Sequence, residues 1–164
     1  MNFSRQTSHA LHADHLANLQ LLGRAEQAFV RAPRAAAGGE AELLSLLALL
    51  VRHLEHDIDR HFVFEEQELF PRLIEAGDGG IAGLLTEEHE AIRAVAAELL
   101  PLARAAPAAG LDVAGWEALK RGVLELVERL VSHIQKEEMA LLPLLDDLLD
   151  DETDRQLAFA YAAG

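Results

Sequence analysis

The stretch HFVFEEQELFPRL, residues 61–73, returns seventy-two positions later as HIQKEEMALLPLL, residues 133–145. At matched positions both copies carry a His, two consecutive Glu, a Leu, a Pro and a final Leu. The His and the first Glu of each copy are four residues apart, so in a helix they lie on the same face. The repeat therefore predicts two helices that each present one imidazole and one carboxylate together.

The rest of the chain is also predicted to be helical. Apolar residues recur at steps of three and four, as in amphipathic helices, and no segment alternates with the period of a strand. Four helices are predicted, over residues 8–32, 40–75, 81–105 and 112–149, and residues 152–162 are compatible with a short fifth. Pro71 is expected to kink or end the second helix. We predict a single all-α domain, residues 1–164, folded as an up-down-up-down four-helix bundle.

A second, weaker repeat relates the first and third helices. DHLANL (14–19) and EHEAIR (88–93) each place an acid–His pair at the start of an apolar stripe, at nearly the spacing of the longer repeat. The chain therefore looks like two helical hairpins related by an approximate twofold axis. In such a bundle four imidazoles and two carboxylates converge on the common axis, from His15, His61, Glu65, His89, His133 and Glu137.

Buried charge of this kind needs a partner, because an unpaired carboxylate costs several kcal/mol to bury. The helix faces that carry these glutamates have no Lys to pair with them. A metal ion would compensate the buried negative charge. Four imidazoles and two carboxylates suit two borderline ions such as iron, and manganese or a mixed centre is compatible with the same ligands. If each Glu bridges, each ion has about four protein ligands and keeps open positions. A bundle with a few satisfied core histidines is the plainer alternative.

The motifs DH (14–15), HFVFEEQELFP (61–71), EEH (87–89) and HIQKEEMALLP (133–143) resemble those of the hemerythrin-like, or HHE cation-binding, domains. The resemblance covers essentially the whole chain and implies a non-haem di-iron centre. By the family pattern, His15 and His61 would serve one iron, His89 and His133 the other, and the two glutamates would bridge. Ferritin-like bundles instead use Glu-x-x-His, a spacing that is absent from this chain.

One departure from the family pattern bears on function. Arg93 stands where oxygen-carrying hemerythrins have a further His, so the resemblance favours members that sense iron, respond to nitric oxide or repair iron–sulfur centres. We expect the chain to bind or sense oxygen, nitric oxide or iron. A di-iron peroxidase or oxidase, or an iron donor in iron–sulfur repair, is the alternative, and iron storage is a third. Whether the chain is an enzyme stays open.

Other polar and aromatic residues near these motifs are not predicted to be ligands. Because they lie off the ligand face, a surface position is predicted for His53, His56, Glu66 and Glu138. For His12 a partly exposed surface position is favoured over a supporting contact at the site. Asp57 is expected to accept a hydrogen bond from a ligand imidazole. Arg93 is predicted either to face an open coordination position or to extend into solvent. Tyr161 is expected only to pack.

Charge and composition restrict the partners. The net charge of −14 argues against nucleic acid, which requires a clustered positive surface. No apolar run is long enough to cross a bilayer. The absence of cysteine excludes disulfides and suits a reducing compartment, so a cytoplasmic location is expected. No protein partner is indicated, and both a monomer and a homodimer remain open.

Overall fold

The computed structural model describes residues 3–32 and 40–163, and this part of the chain forms five helices and no strand. Helix α1 is Gln6–Arg31, α3 is Gly79–Ala109 and α5 is Asp151–Ala163. Helices α2 (residues 40–76) and α4 (residues 113–148) are continuous but alternate between α-helical and π-helical turns. Helix α2 comprises Glu40–Arg52, the π segment His53–Ile58, Asp59–Phe64, the π segment Glu65–Leu69, and Phe70–Ala76; α4 comprises Val113–Lys136, the π segment Glu137–Leu141, and Leu142–Leu148. The predicted all-α bundle is confirmed.

Neither Pro71 nor Pro143 ends its helix. Pro71 and Pro143 each lie in the first turn of an α-helical segment that directly follows a π segment. A π turn interrupts the regular i→i−4 ladder, so a proline that lacks an N–H is accommodated there. Helix α2 therefore continues past Pro71 to Ala76. Helix α3 likewise passes through Pro107, beyond its predicted end at residue 105, and stops before Gly110, whose φ is +74°.

Two apolar clusters fill the bundle. The first, towards the start of α2, includes Phe29, Leu50, Leu99, Leu126 and Leu130. The second includes Leu11, Leu69, Leu85, Leu141 and Leu145. On each of the four long helices the predicted ligand positions lie in sequence between members of the two clusters. The bundle thus places one polar layer between two apolar ones.

One large apolar residue of α1 faces outward. Leu16 is 50% exposed, whereas its neighbour His15 is buried. Successive residues of a helix are rotated by roughly 100°, so the buried face of α1 runs through His15, Asn18 and Leu22. The polar residues, and not Leu16, occupy the inner face at this level.

Helix α5 is present, as the short fifth helix anticipated at residues 152–162, and it docks on the start of α1. The carboxylate of Asp154 accepts hydrogen bonds from the backbone N–H groups of Gln6 (2.8 Å) and Thr7 (2.9 Å). These N–H groups belong to the first turn of α1 and have no partner within that helix. Leu157 and Tyr161, on the same side of α5, are buried. Helix α5 therefore caps the start of α1 and packs Leu157 and Tyr161 into the second apolar cluster.

Replacing Asp154 with Ala should destabilise the protein. Burial alone would raise the pKa of Asp154, but the backbone N–H groups of Thr7 and Gln6 outweigh it and lower that pKa. The stabilisation is therefore present at neutral pH and is lost as the pH falls below about 4. We expect Asp154→Ala to reduce the free energy of unfolding by about 1–2 kcal/mol at pH 7. Urea denaturation measures it, with the exposed Arg155→Ala as the matched control; equal losses in the two variants would contradict the capping role.

Candidate metal centre

Six inward side chains of α1 to α4 form the polar layer. Helices α2 and α4 each contribute a His and a Glu one turn apart, and α1 and α3 each contribute one His. All six are buried almost completely: His15, His61, Glu65, His89, His133 and Glu137. The structure thus brings together every side chain that the sequence predicted for the site.

The six residues form two groups that share both glutamates. His15 and His61 with Glu65 and Glu137 form the first group, called position 1; the second group, position 2, replaces the two histidines with His89 and His133. Within each group one ligand atom per residue lies within 4.8 Å of the others. The two Nε2 atoms are 3.4 Å apart at position 1 and 3.1 Å apart at position 2.

Each glutamate presents one oxygen to each position. Glu65 Oε1 lies 3.2 Å from His61 Nε2, and its Oε2 lies 3.3 Å from His89 Nε2. Glu137 Oε2 lies 2.9 Å from His15 Nε2, and its Oε1 lies 2.8 Å from His133 Nε2. Ligand atoms bound at about 2.1 Å to one ion are about 3 Å apart when they are adjacent. These spacings would suit a metal ion beside either His pair, with one oxygen from each carboxylate among its ligands.

The carboxylates lack conventional partners. None of the four oxygens of Glu65 and Glu137 has a hydrogen-bond partner of acceptable geometry in the described structure. Burial alone would raise the pKa of Glu137, but the imidazoles of His133, His15 and His89 hold it well below its ordinary value. Among the described residues, only the imidazoles of the site lie close enough to offset the cost of burying the charged carboxylates. The donor set and its burial both fit a pair of metal cations.

Protons compete with metal for the same imidazole nitrogens. Burial lowers the pKa of each of the four histidines, but the two glutamates outweigh it and raise all four. For His89 the pKa rises to about 9. Metal ligation requires the unprotonated nitrogen, so loading the site must release protons.

Comparison with known proteins agrees with this geometry. The model of the hemerythrin HHE cation-binding domain matches residues 6–145, a region that contains all six side chains. The chain belongs to the hemerythrin HHE cation-binding domain family. It is also 34% identical over 106 residues to the iron–sulfur cluster repair protein YtfE of Edwardsiella ictaluri (strain 93-146). That match covers 59% of this chain and 45% of the relative, so the chain spans about half of that protein.

In this hemerythrin domain each histidine of the site makes a hydrogen bond on the side of its ring that faces away from the centre. The Nδ1 atom of every ring has a hydrogen-bond partner, which leaves Nε2 to face the centre. The partners are Glu138 for His15 (2.6 Å), the Tyr161 hydroxyl for His61 (2.8 Å), Glu66 for His89 (2.7 Å) and Glu88 for His133 (3.0 Å). An oxygen that accepts from Nδ1–H sets the tautomer and ring orientation of a metal-ligating His. The rings are thus oriented for ligation through Nε2.

The prediction that Glu66 and Glu138 face outward was wrong. Each is rotated from the preceding Glu by about 100°, which directs it to the boundary between two helices. There it meets a His of the neighbouring helix, and both carboxylates are partly buried. The available signal was the repeat itself, because both copies contain the second Glu. Glu88, in the quoted motif EEH, was likewise not recognised as a partner of His133.

Two expectations for polar residues of α2 were also wrong, and His12 has the supporting contact that was its less favoured alternative. His12 is half-buried, and its Nδ1 lies 2.8 Å from Glu138 Oε2, so it supports a carboxylate of the site. His53 is only 9% exposed, and Asp57 accepts its hydrogen bond (2.8 Å) instead of one from a ligand imidazole. His56 is exposed, as predicted. His53, His56 and Asp57 all lie in the π segment His53–Ile58. A π turn changes which side chains share a helix face, and a projection of the sequence on a regular α-helix does not include that change.

Arg93 contacts the centre through Glu66, the hydrogen-bond partner of His89. Its Nη1 donates to Glu66 Oε1 (2.7 Å), the same oxygen that accepts from His89 Nδ1. Its guanidinium also lies 5.4 Å from the centre of the Phe62 ring, which stacks on His89 at 3.6 Å. Arg93 therefore orients Glu66 and covers the Phe62–His89 pair, a role that neither predicted alternative described.

The glutamates of the site coincide with the π-helical turns. Glu65 and Glu137 are the first residues of the segments Glu65–Leu69 and Glu137–Leu141. Such turns are frequent at functional sites. The sequence signal was the proline six residues after each glutamate, because a proline within a helix requires an interrupted ladder. The sequence repeat is thus also a repeat of backbone geometry.

In the described residues no helix is long and apolar enough to span a membrane.

Proposed function

We propose that the chain holds two iron ions, one at each position, with Glu65 and Glu137 as bridging ligands. The observation that supports this most directly is the pair of buried carboxylates, each with one oxygen beside each His pair and no hydrogen bond of acceptable geometry within the described part of the chain. The six proposed ligands are four imidazoles and two carboxylates, with no thiolate. This set has too many nitrogen ligands for calcium or magnesium, which prefer oxygen. Membership of a cation-binding family supports the same assignment.

The proposed function is binding or sensing of a small diatomic molecule, oxygen or nitric oxide. Each position offers two imidazole nitrogens and two carboxylate oxygens. Octahedral iron takes six ligands, so such an ion can also bind a small molecule. The chain's own residues prepare this: the Nδ1 partners orient the rings, and the two apolar clusters exclude bulk water.

The similarity to an iron–sulfur cluster repair protein favours a second candidate. In that case the same centre would release iron to an acceptor rather than retain it. A peroxidase or oxidase would use the same six side chains, and manganese would suit them as well. These functions differ in what leaves the site: a reversible ligand, an iron ion or a reaction product.

Metal analysis and ligand binding test the proposal. The protein, reconstituted anaerobically with ferrous iron and freed of excess by gel filtration, should retain two irons per chain. Adding nitric oxide or oxygen should produce a distinct absorption spectrum that reverses when the gas is removed. Retention of clearly fewer than two irons would refute the di-iron assignment. Many turnovers of peroxide per site would indicate the enzyme, and iron loss to an apo iron–sulfur acceptor would indicate the donor.

A further inference from the structure

The outer hydrogen bonds of the centre follow the twofold repeat except at one place. Asp14 and Glu88 hold matched positions, each directly before a His of the site. Glu88 reaches Nδ1 of His133 directly, at 3.0 Å. Asp14 has a side chain one methylene shorter, and Tyr161 lies between it and His61: the hydroxyl is hydrogen-bonded to Asp14 Oδ2 and lies 2.8 Å from His61 Nδ1. A residue of α5 thus completes position 1.

The direction of these hydrogen bonds is determined by the phenol. A carboxylate can only accept a hydrogen bond, and the Tyr161 hydroxyl has one proton to donate. It donates to Asp14, and its oxygen is free to accept from His61 Nδ1–H. That arrangement leaves the Nε2 lone pair of His61 facing position 1. Tyr161 is therefore a positioning residue for His61.

Helix α5 is an addition to the repeated part of the fold. The other three Nδ1 partners, Glu66, Glu88 and Glu138, lie on α2, α3 and α4. After α2 the chain passes directly through Gly77 and Asp78 into α3, so no helix matches α5 in the first half. Residues 151–163 also lie outside the region that matches the family model.

Further contacts hold α5 against the helix that carries His61. Arg60 donates from Nη1 to the backbone carbonyl of Tyr161 (3.3 Å), and its guanidinium lies 5.2 Å from the ring centre. The Tyr161 ring also packs on Phe64 at 4.7 Å. These contacts of Tyr161 thus lie on α2 next to position 1, whereas the outer partners of His89 and His133 come from other helices.

Building on the proposed di-iron site, we propose that Tyr161 couples the docking of α5 to metal binding at position 1 and not at position 2. Docked α5 orients His61 and strengthens metal binding there. By thermodynamic linkage, metal at position 1 must strengthen the docking of α5 by the same factor. Metal binding at position 1 would thereby change how firmly α5 is docked on the four-helix bundle. The same helix caps α1 through Asp154.

The variant Tyr161→Phe removes one hydroxyl and keeps the packing of the ring. Loss of an outer partner typically weakens metal binding 10–100-fold, so one of the two ferrous equivalents should weaken by about that factor while the other is unchanged. An anaerobic titration against a competing chelator measures both equivalents. In hydrogen exchange, ferrous iron should increase the protection of α5 amides in the parent protein but not in Tyr161→Phe.

Two matched variants make the assignment specific. Glu88→Gln changes the equivalent partner of His133; it should weaken the other ferrous equivalent and preserve the metal-dependent protection of α5. Phe159→Ala, on α5 but 77% exposed, should change neither. The double variant of Tyr161 and Glu88 should weaken both equivalents. If Tyr161→Phe weakens both equally, or leaves the protection of α5 responsive to iron, the coupling is refuted.

The parent protein alone supplies a second test, should Tyr161→Phe not fold. Hydrogen exchange at increasing ferrous occupancy should show α5 protection rising with only one of the two equivalents. A parent protein that binds two irons while α5 stays unresponsive would refute the coupling and leave the di-iron site intact. A parent protein that retains fewer than two irons would remove both.

Discussion

Replacing Glu65 with Gln should weaken binding at both metal positions, and not at one alone. The two oxygens of Glu65 lie beside histidines of different positions, 3.2 Å from His61 Nε2 and 3.3 Å from His89 Nε2. The amide nitrogen of Gln is a poor ligand, and the variant also loses the negative charge. If structural metal binding of about 10–16 kcal/mol is spread over four ligands, one ligand accounts for about 100-fold or more in affinity. Each ion should weaken by that order.

Iron content after anaerobic reconstitution and gel filtration measures this effect. Glu68→Gln is the matched control, because it makes the same charge change three residues further along the helix at an exposed position. It should retain the parent iron content. Glu137→Gln should reproduce the loss of both ions, since its oxygens are divided between the positions in the same way. A Glu65→Gln protein that keeps one ion at parent affinity would contradict the bridging arrangement.

Removing the metal should lower stability, and the loss should be larger at higher pH. A ligand at a thousand times its dissociation constant adds about 4 kcal/mol to the free energy of unfolding. In the metal-free protein the raised pKa of His89, about 9, means that protonated His89 contributes stability below about pH 6.5. That contribution disappears as the pH rises through 9. Metal binding needs the unprotonated ring, so metal affinity rises over the same interval.

Urea unfolding with ferrous iron and with a chelator, under anaerobic conditions at pH 6, 7 and 8, measures this difference. The gain from iron should increase at each step, because the pKa values of His15, His61 and His133 are also raised. Glu65→Gln should show little gain at any pH. An equal gain at pH 6 and pH 8 would show that metal does not displace protons from these rings.

The inner side chains of the centre could be predicted because they obey local rules. A His and a Glu four residues apart share a helix face wherever that helix lies, and the apolar residues around them identify that face as the inner one. His15 and His89 followed from the second repeat. The resulting prediction named the same six residues that the structure brings together.

The outer contacts could not be predicted in this way, because each joins residues of different helices. Glu138 and His15 are 123 positions apart, and Tyr161 and His61 are 100 apart. Helical projection places Glu66 and Glu138 off the ligand face, which is correct, but it does not reveal which helix lies beside that face. His53 shows the same limit: its burial depends on a π segment and on the packing of α1 and α2.

By itself, the sequence determined the helices, their inner faces and the residue types at the centre, because helical periodicity and side-chain chemistry act over a few neighbouring positions. Only the tertiary structure decided how the two glutamates divide their oxygens between the two His pairs. Tertiary packing also decided which partners orient the imidazoles, and it placed Tyr161 of α5 at one of them. Those features depend on how helices cross and on which side α5 returns, and no local pattern specifies either.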